Sequence, residues 1–297
     1  MKTFIKKNWL RAVIYGGMAC CLVDGLLIEP HWLKVDRLTF SNRPSLRIVH
    51  ISDLHYKGNR RYLARIVAEI NKLHADAVCF TGDIVENTEY LGDALDALAG
   101  IQAPLYGVPG NHEYWSGASF EKIAECCEKT GGAWLADRTV VAVGGKLVIV
   151  GKSGSDITTR SVASEFVMQG RKVDWPVPQT GGARSSGSVS DAVASLRQSA
   201  VASAPSVARK RVLLAHYPAV VDDIKGETYD VILAGHAHGG QVRLPFIGAL
   251  LVPFGVNGYQ MGTYSTPAGP LHVSAGLGTF FLPVRFYCRP EITLIEI

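Results

Sequence analysis

Five of the nine histidines in this chain, His55, His112, His216, His236 and His238, stand beside or close to glycine, aspartate or asparagine just after apolar runs. The densest stretch is Gly235-His236-Ala237-His238-Gly239-Gly240-Gln241. On an extended chain, residues i and i+2 face the same side, so His236 and His238 are expected to present two imidazoles together. The flanking glycines let a backbone come close. Such a pair is a metal-binding edge; the competing reading is two unrelated core or surface histidines. Asp53-Leu54-His55 repeats the spacing, with a turn aspartate and a chance histidine as its bland alternative. Gly82-Asp83, Gly110-Asn111-His112-Glu113 and His216 complete the set.

Carboxylates, an amide oxygen and imidazoles, with no thiolate among them, suit Mn²⁺, Fe, Zn²⁺ or Mg²⁺. They are too many for one tetrahedral ion, and two ions sharing one carboxylate account for them better. Two metals about 3.5–4 Å apart clamp a phosphoryl group, generate hydroxide at neutral pH and stabilise both oxygens of an in-line displacement. His31, His50, His74 and His272 lack this setting and are read as structural.

The elements that must hold these groups follow from periodicity. Apolar runs at 46–52, 77–81, 105–108, 212–215 and 229–234 predict buried strands, each ending at a candidate residue. Further strands are expected at 31–40, 271–274 and 292–297. Helices are expected over 60–74, with Leu63, Ile66, Val67, Ile70 and Leu73 on one face, and over 90–99 and about 119–129. Strand–helix alternation with polar loops at strand ends implies α/β architecture, in which ligands bind at the carboxyl ends of strands. Residues 158–211, rich in Gly, Ser and Ala, are expected as an insertion, with an Ala-rich helix over 190–202. Within it, Trp175-Pro176-Val177-Pro178 reads as a loop plugged by one tryptophan, or as a lid or membrane contact. The apolar run 244–254 reads as ordinary core or as the lining of an acyl groove.

A hydrophobic content of 47% with 19% charged residues describes a globular chain, not a disordered one. The net charge of +4 comes without a clustered basic patch beyond the N-terminus, so nucleic acid is not an expected partner. The six cysteines show neither zinc spacing nor a disulfide framework, which leans towards a reducing compartment. At the N-terminus, Lys2, Lys6, Lys7 and Arg11 precede an apolar run over 12–28, broken by Asp24 and three glycines, before Glu29-Pro30. A spanning helix needs about 20 apolar residues. An uncleaved anchor, an interfacial helix, a cleaved signal peptide and a helix packed into the protein's own core all fit. Residues 1–30 are therefore taken as a membrane anchor or interfacial helix and 31–297 as the catalytic domain.

The blocks Asp53-x-His55, Gly82-Asp83, Gly110-Asn111-His112-Glu113, His216 and Gly235-His236-x-His238 resemble, in order, those of the calcineurin-like metallophosphoesterase family. The likeness runs from Leu46 to the C-terminus, less the insertion. It implies a four-layer α-β-β-α sandwich of two mixed sheets. It also implies that Asp53, His55 and His238 hold one divalent metal and that Asp83 bridges. Asn111, His216 and His236 would hold the second, and His112 would be a non-ligand catalytic residue beside the leaving group. Mn²⁺ is the preferred ion. Glu86 falls where the family carries a further acid near the metals. The segment 28–33, the Gly-His-Ala-His-Gly-Gly-Gln variant and the stretches Gly276-Leu277-Gly278-Thr279 and Arg289-Pro290-Glu291 resemble a bacterial membrane-associated branch. That branch includes broad phosphodiesterases and the chlamydial type of UDP-2,3-diacylglucosamine pyrophosphatase of lipid A synthesis. The expected activity is hydrolysis of such a lipid-linked pyrophosphate at the bacterial cytoplasmic membrane. The basic N-terminus would place a spanning chain's catalytic domain outside, while the free-looking cysteines favour the cytoplasmic face. The alternatives are a broad phosphodiesterase with no lipid role and a non-catalytic metal-binding scaffold.

Overall fold

Alternate residues of the strand formed by Arg47–Ile51 are buried on opposite faces, Ile48 in one apolar cluster and Val49 and Ile51 in another. This pattern belongs to a strand covered on both sides, and it recurs in the strands formed by Ala77–Phe80, Val231–Ala234 and Glu291–Glu296. The structure, a computed structural model, describes residues 2–154 and 209–297. The strands are β1 (Lys34–Thr39), β2 (Arg47–Ile51), β3 (Ala77–Phe80), β4 (Leu105–Gly107), β5 (Ala133–Trp134), β6 (Thr139–Ala142) and β7 (Leu147–Lys152). After the insertion come β8 (Lys210–Ala215), β9 (Val231–Ala234), β10 (Arg243–Leu244), β11 (Gly248–Ala249), β12 (Gly262–Thr266), β13 (Gly269–Val273) and β14 (Glu291–Glu296).

Two mixed six-stranded sheets result, ordered β1-β14-β2-β3-β4-β5 and β12-β13-β9-β8-β7-β6. Strands β2 to β5 run parallel, as do β7, β8, β9 and β13. Ile48, Cys79, Val212, Leu214, Val231 and Leu233 share one cluster drawn from both sheets. The opposite face of the first sheet packs on α2 (Arg60–Lys72), α3 (Leu91–Leu98) and α5 (Phe120–Lys129) through Leu63, Ile66, Ile70, Leu95 and Ile123. On the other face of the second sheet, Leu213, Ile232 and Val273 meet Val221 of a 3₁₀ turn (Pro218–Asp222) and Val256. The two mixed sheets of the four-layer α-β-β-α sandwich implied by the resemblance are observed, with helices on the outer face of the first. Among the described residues the outer face of the second is covered by the 3₁₀ turn and loops.

The helices begin where capping chemistry is available. Asn59 accepts the Tyr62 N–H to start α2, and Ser119 accepts the Lys122 N–H to start α5. One helix was not expected: α4 (Asn111–Ser116) starts within the Gly-Asn-His-Glu block itself. The N-terminal helix, α1 (Lys2–Val23), continues through a π turn (Asp24–Ile28) into a 3₁₀ turn (Glu29–His31). Segment Arg11–His31 is long and apolar enough to cross a membrane. Trp9, Ile14, Met18 and Leu22 stand exposed, which removes the reading of a helix packed into the protein's own core. The run 244–254 is not core either: Phe246, Ile247 and Leu251 are exposed. All six cysteines are free. The expected helix over 190–202, the aromatic turn at 175–178 and most of the insertion lie outside the described residues. The insertion's expected end overlaps β8 by Lys210 and Arg211.

Candidate metal centre

Each candidate residue follows the carboxyl end of a central strand. Asp53 and His55 come after β2, Asp83 after β3, Asn111 after β4, His216 after β8, and His236 and His238 after β9. The site therefore straddles the same edge of both sheets, where parallel strands leave a crevice. Five of these residues sit in the left-handed backbone region: Asp53 (φ 50°), His55 (40°), Asp83 (63°), His236 (67°) and His238 (49°). Each such residue costs about 1–3 kcal/mol, and strain of this kind gathers where function fixes a side chain. Gly235 is required by proximity, because a Cβ there would collide with Ser52 Oγ and Asp53 Oδ2.

The His-Ala-His stretch is not extended, contrary to the expectation from its spacing. Ala237 is helical (φ −73°, ψ −21°) between two left-handed histidines, and the chain turns. His236 and His238 therefore face different neighbours. His238 Nε2 lies 3.0 Å from His55 Nε2 and 3.4 Å from Asp53 Oδ1. His236 Nδ1 lies 3.1 Å from His216 Nε2.

Two groups result, each with ligand atoms within 4.8 Å of one another: Asp53, His55, Asp83 and His238, and Asp83, His216 and His236. Asp83 belongs to both. Its Oδ2 lies 3.5 Å from His55 Nε2 and 3.3 Å from His216 Nε2. Asn111 Oδ1 joins the second group, 3.0 Å from His216 Nε2. His112 belongs to neither. Its ring packs edge-on against His55, Trp115 and Phe280, while its backbone N–H donates to Asp83 Oδ1 at 2.9 Å.

Atoms facing away from the centre set the orientation of the rings. His216 Nδ1 donates to the Thr81 carbonyl at 2.7 Å, and His236 Nε2 donates to the Phe254 carbonyl at 2.6 Å. A carbonyl only accepts, so the opposite ring nitrogen turns towards the centre. Glu86 Oε1 stands 3.3 Å from His55 Nδ1 and 3.0 Å from Lys57 Nζ. Burial raises the Glu86 carboxyl, but His55 and Lys57 outweigh it and the net shift is downward.

The charge balance fits cations. Burial pulls the His216 pKa down, but Asp83 and Asp53 beside it win and lift it to about 9. Without a metal, a protonated imidazole thus serves as countercharge to buried carboxylates. Burial lowers His236 to about 3 and holds His238 well below its usual value, leaving both neutral with a free lone pair. Burial raises Asp53, as expected of a carboxylate short of positive charge. Buried, converging imidazole and carboxylate donors that share one carboxylate fit two divalent ions.

Glu113 carries a role that the sequence reading did not assign. Its carboxylate accepts the backbone N–H groups of Gly110 (2.6 Å), Asp83 (2.9 Å) and Ile84 (2.7 Å). The signal was available: a glutamate three residues after the N-cap position is the capping-box spacing. His50 and His272, expected to be structural, lie outside both metal groups. They meet through Nδ1 atoms 3.0 Å apart, and His272 Nε2 lies 3.2 Å from Glu291.

Fold and site together define a metal-dependent hydrolase of phosphoric esters. The chain belongs to the calcineurin-like phosphoesterase family, whose model matches residues 46–240. It is 27% identical to the uncharacterized metallophosphoesterase YkuE of Bacillus subtilis over 318 aligned positions, spanning 100% of this chain and 99% of that one. It is 26% identical to the UDP-2,3-diacylglucosamine pyrophosphatase LpxG of Chlamydia muridarum, across 91% of this chain and 90% of the relative. Phosphodiesterase YaeI of Escherichia coli is 33% identical over 87 positions, 29% of this chain and 32% of that protein.

Proposed function

We propose that this chain cleaves a lipid-linked pyrophosphate at a bacterial cytoplasmic membrane. The substrate is UDP-2,3-diacylglucosamine; water adds across its phosphoanhydride bond to give 2,3-diacylglucosamine 1-phosphate and UMP. The observation that carries the reading is the apolar surrounding of the histidine cluster. The Phe280 ring lies against His55, His112 and His238, the next residue, Phe281, is exposed, and an apolar helix begins the chain. The match to LpxG along nearly the whole chain supports the substrate class.

In this reading Asp53, His55 and His238 would hold one ion and Asn111, His216 and His236 the other, with Asp83 common to both groups. Mn²⁺ is the assigned ion. When bound, the two ions supply the Lewis-acid charge that activates water and neutralises phosphoryl oxygens. The chain's own residues orient and donate. Burial lowers His112 to about 4, so its ring is neutral at pH 7 and offers an N–H to a phosphoryl or leaving oxygen. Residues 1–30 tether the catalytic domain 31–297, with the active site on the cytoplasmic side, where nucleotide-activated sugars are made.

The partial match to phosphodiesterase YaeI favours a second reading, a broad phosphodiesterase without lipid preference. One assay separates the two. Detergent-solubilised protein is given Mn²⁺ with UDP-2,3-diacylglucosamine, or with a soluble chromogenic diester. Release of UMP at low enzyme concentration supports the lipid assignment. Cleavage of the soluble diester alone removes that assignment and leaves the second reading.

A further inference from the structure

Phe246 and Ile247 occupy the tip of the β10–β11 hairpin and are 109% and 72% exposed. Leu251, Phe281 and Leu282 are also exposed. Burying large apolar side chains is the main favourable term in folding, so a contiguous apolar rim left in water marks a contact surface.

The rim is one connected structure. Gln241 ties its two loops together, donating from Nε2 to the Phe280 carbonyl at 3.0 Å and accepting the Phe280 N–H at 2.7 Å. The Phe286 carbonyl accepts the Arg243 N–H at 2.9 Å. The rim also borders the metal centre, since His236 bonds the Phe254 carbonyl and Phe280 packs on three histidines. Finally, it is joined to the end of the N-terminal helix. The Arg285 N–H donates to the Gly25 carbonyl at 2.9 Å, and the Tyr287 and Cys288 N–H groups both donate to the Glu29 carboxylate. Beside these contacts, Leu27 of the π turn is exposed as well.

Charge points the same way. From Val231 to Pro290 the sequence contains no Asp or Glu, while the half-buried Arg243 and Arg289 reach the surface there; Arg285 is buried and bonded to backbone carbonyls. A surface that meets phospholipid tolerates apolar and basic side chains and excludes carboxylates.

We propose that this rim, the hairpin tip 245–247 with 250–252 and 281–282, inserts into the leaflet from which the N-terminal helix emerges. The mouth of the metal centre then faces the bilayer, and a lipid substrate reacts with its acyl chains still in the membrane. The inference rests on the membrane association proposed above. The occupant is a phospholipid leaflet and not a second protein, because the rim continues an apolar membrane-length helix and is carried on loop tips free of acidic residues.

The test uses the full chain in phosphatidylethanolamine–phosphatidylglycerol vesicles doped with phosphatidylcholine brominated along its acyl chains. Phe246→Trp is compared with Val141→Trp, an exposed position on β6. The added emission of F246W is expected to be quenched by bromine and that of V141W to be unaffected. A chain that fails to float with the vesicles overturns the membrane association itself. A chain that floats while F246W is unquenched overturns only the docking surface.

A second variant reads function. Phe246→Ser, Ile247→Ser and Leu251→Ser combined should lower turnover of vesicle-embedded substrate by at least about tenfold, which the loss of a single buried apolar side chain would already give, and leave the soluble diester unchanged. Equal loss on both substrates overturns the proposal. So does a dimer in detergent that this variant dissociates, since the rim would then be covered by a second copy of the chain.

Discussion

Glu113 accepts the backbone N–H of Asp83 at 2.9 Å, so a glutamate at the start of α4 fixes the loop that carries the carboxylate shared by both metal groups. The same carboxylate holds the N–H groups of Ile84 and Gly110. It thereby sets the distance between the loop of Asp83 and the residues Asn111 and His112.

Replacing Glu113 with alanine leaves three buried N–H groups without partners. Each such group costs about 1–3 kcal/mol, so Glu113→Ala is expected to lower the melting temperature by many degrees and to weaken metal binding. Glu113→Gln keeps an acceptor oxygen and should fall between the two. Thermal unfolding with and without Mn²⁺ reads both effects. A Glu113→Ala protein that melts like the wild type would show that this carboxylate fixes nothing.

Metal loading should release protons, and the sign follows from His216. Its pKa in the metal-free protein is raised from 6.5 to about 9, so at pH 7 the ring is protonated and both nitrogens donate, to Thr81 and to Asn111. A metal ligand must be neutral. Binding at pH 7 therefore expels about one proton per chain from this residue. Calorimetry in buffers of different ionisation enthalpy measures that number. In the metal-free protein the same shift is a stability term, complete below pH 6.5 and lost as pH rises towards 9. No proton release at pH 7 would rule out His216 as a ligand.

The order of strands and candidate residues was legible because buried strands write continuous apolar runs, as in Val231–Ala234, and polar groups follow directly. Spacing did not reveal the conformation after the strand. Period-two reasoning holds only while the backbone is extended, and His236, with φ 67°, has already left that region. The α4 helix starts on Gly110, which offers no side-chain cap, so its mark in the sequence is Glu113 at the third position. The exposure of Phe246 and Leu251 was illegible for another reason: an apolar run carries no mark of what solvent will cover it.

Glu86 faces a proposed metal ligand, His55, without belonging to either metal group. Its carboxylate faces His55 Nδ1 at 3.3 Å, which aims the other nitrogen at Asp83 and His238. Outer partners of this kind change metal affinity by about 10–100-fold when removed. Glu86→Gln should therefore raise the Mn²⁺ concentration needed for half-maximal diester hydrolysis by that factor, with the rate at saturating metal nearly preserved. An unchanged metal requirement would mean that the His55 ring is held by packing alone, against His112 and Phe280.

Asp83 and His112 touch through one hydrogen bond, yet the proposed roles predict different losses. Asp83 is common to both metal groups, and Asp83→Asn removes the negative charge that pairs with His55 and His216. That variant should bind less than a full complement of metal, as counted by inductively coupled plasma mass spectrometry, and should lose diester hydrolysis. His112 lies outside both groups. His112→Ala should keep full metal content and its melting temperature with Mn²⁺, because only its backbone N–H bonds Asp83 and alanine retains it. Its kcat should nevertheless drop by about 10²–10³, the cost of losing one hydrogen bond made to developing charge. Restoring a donor with His112→Gln should recover part of that rate. Normal turnover by His112→Ala, or loss of metal from it, would each contradict the division of labour between these two neighbours.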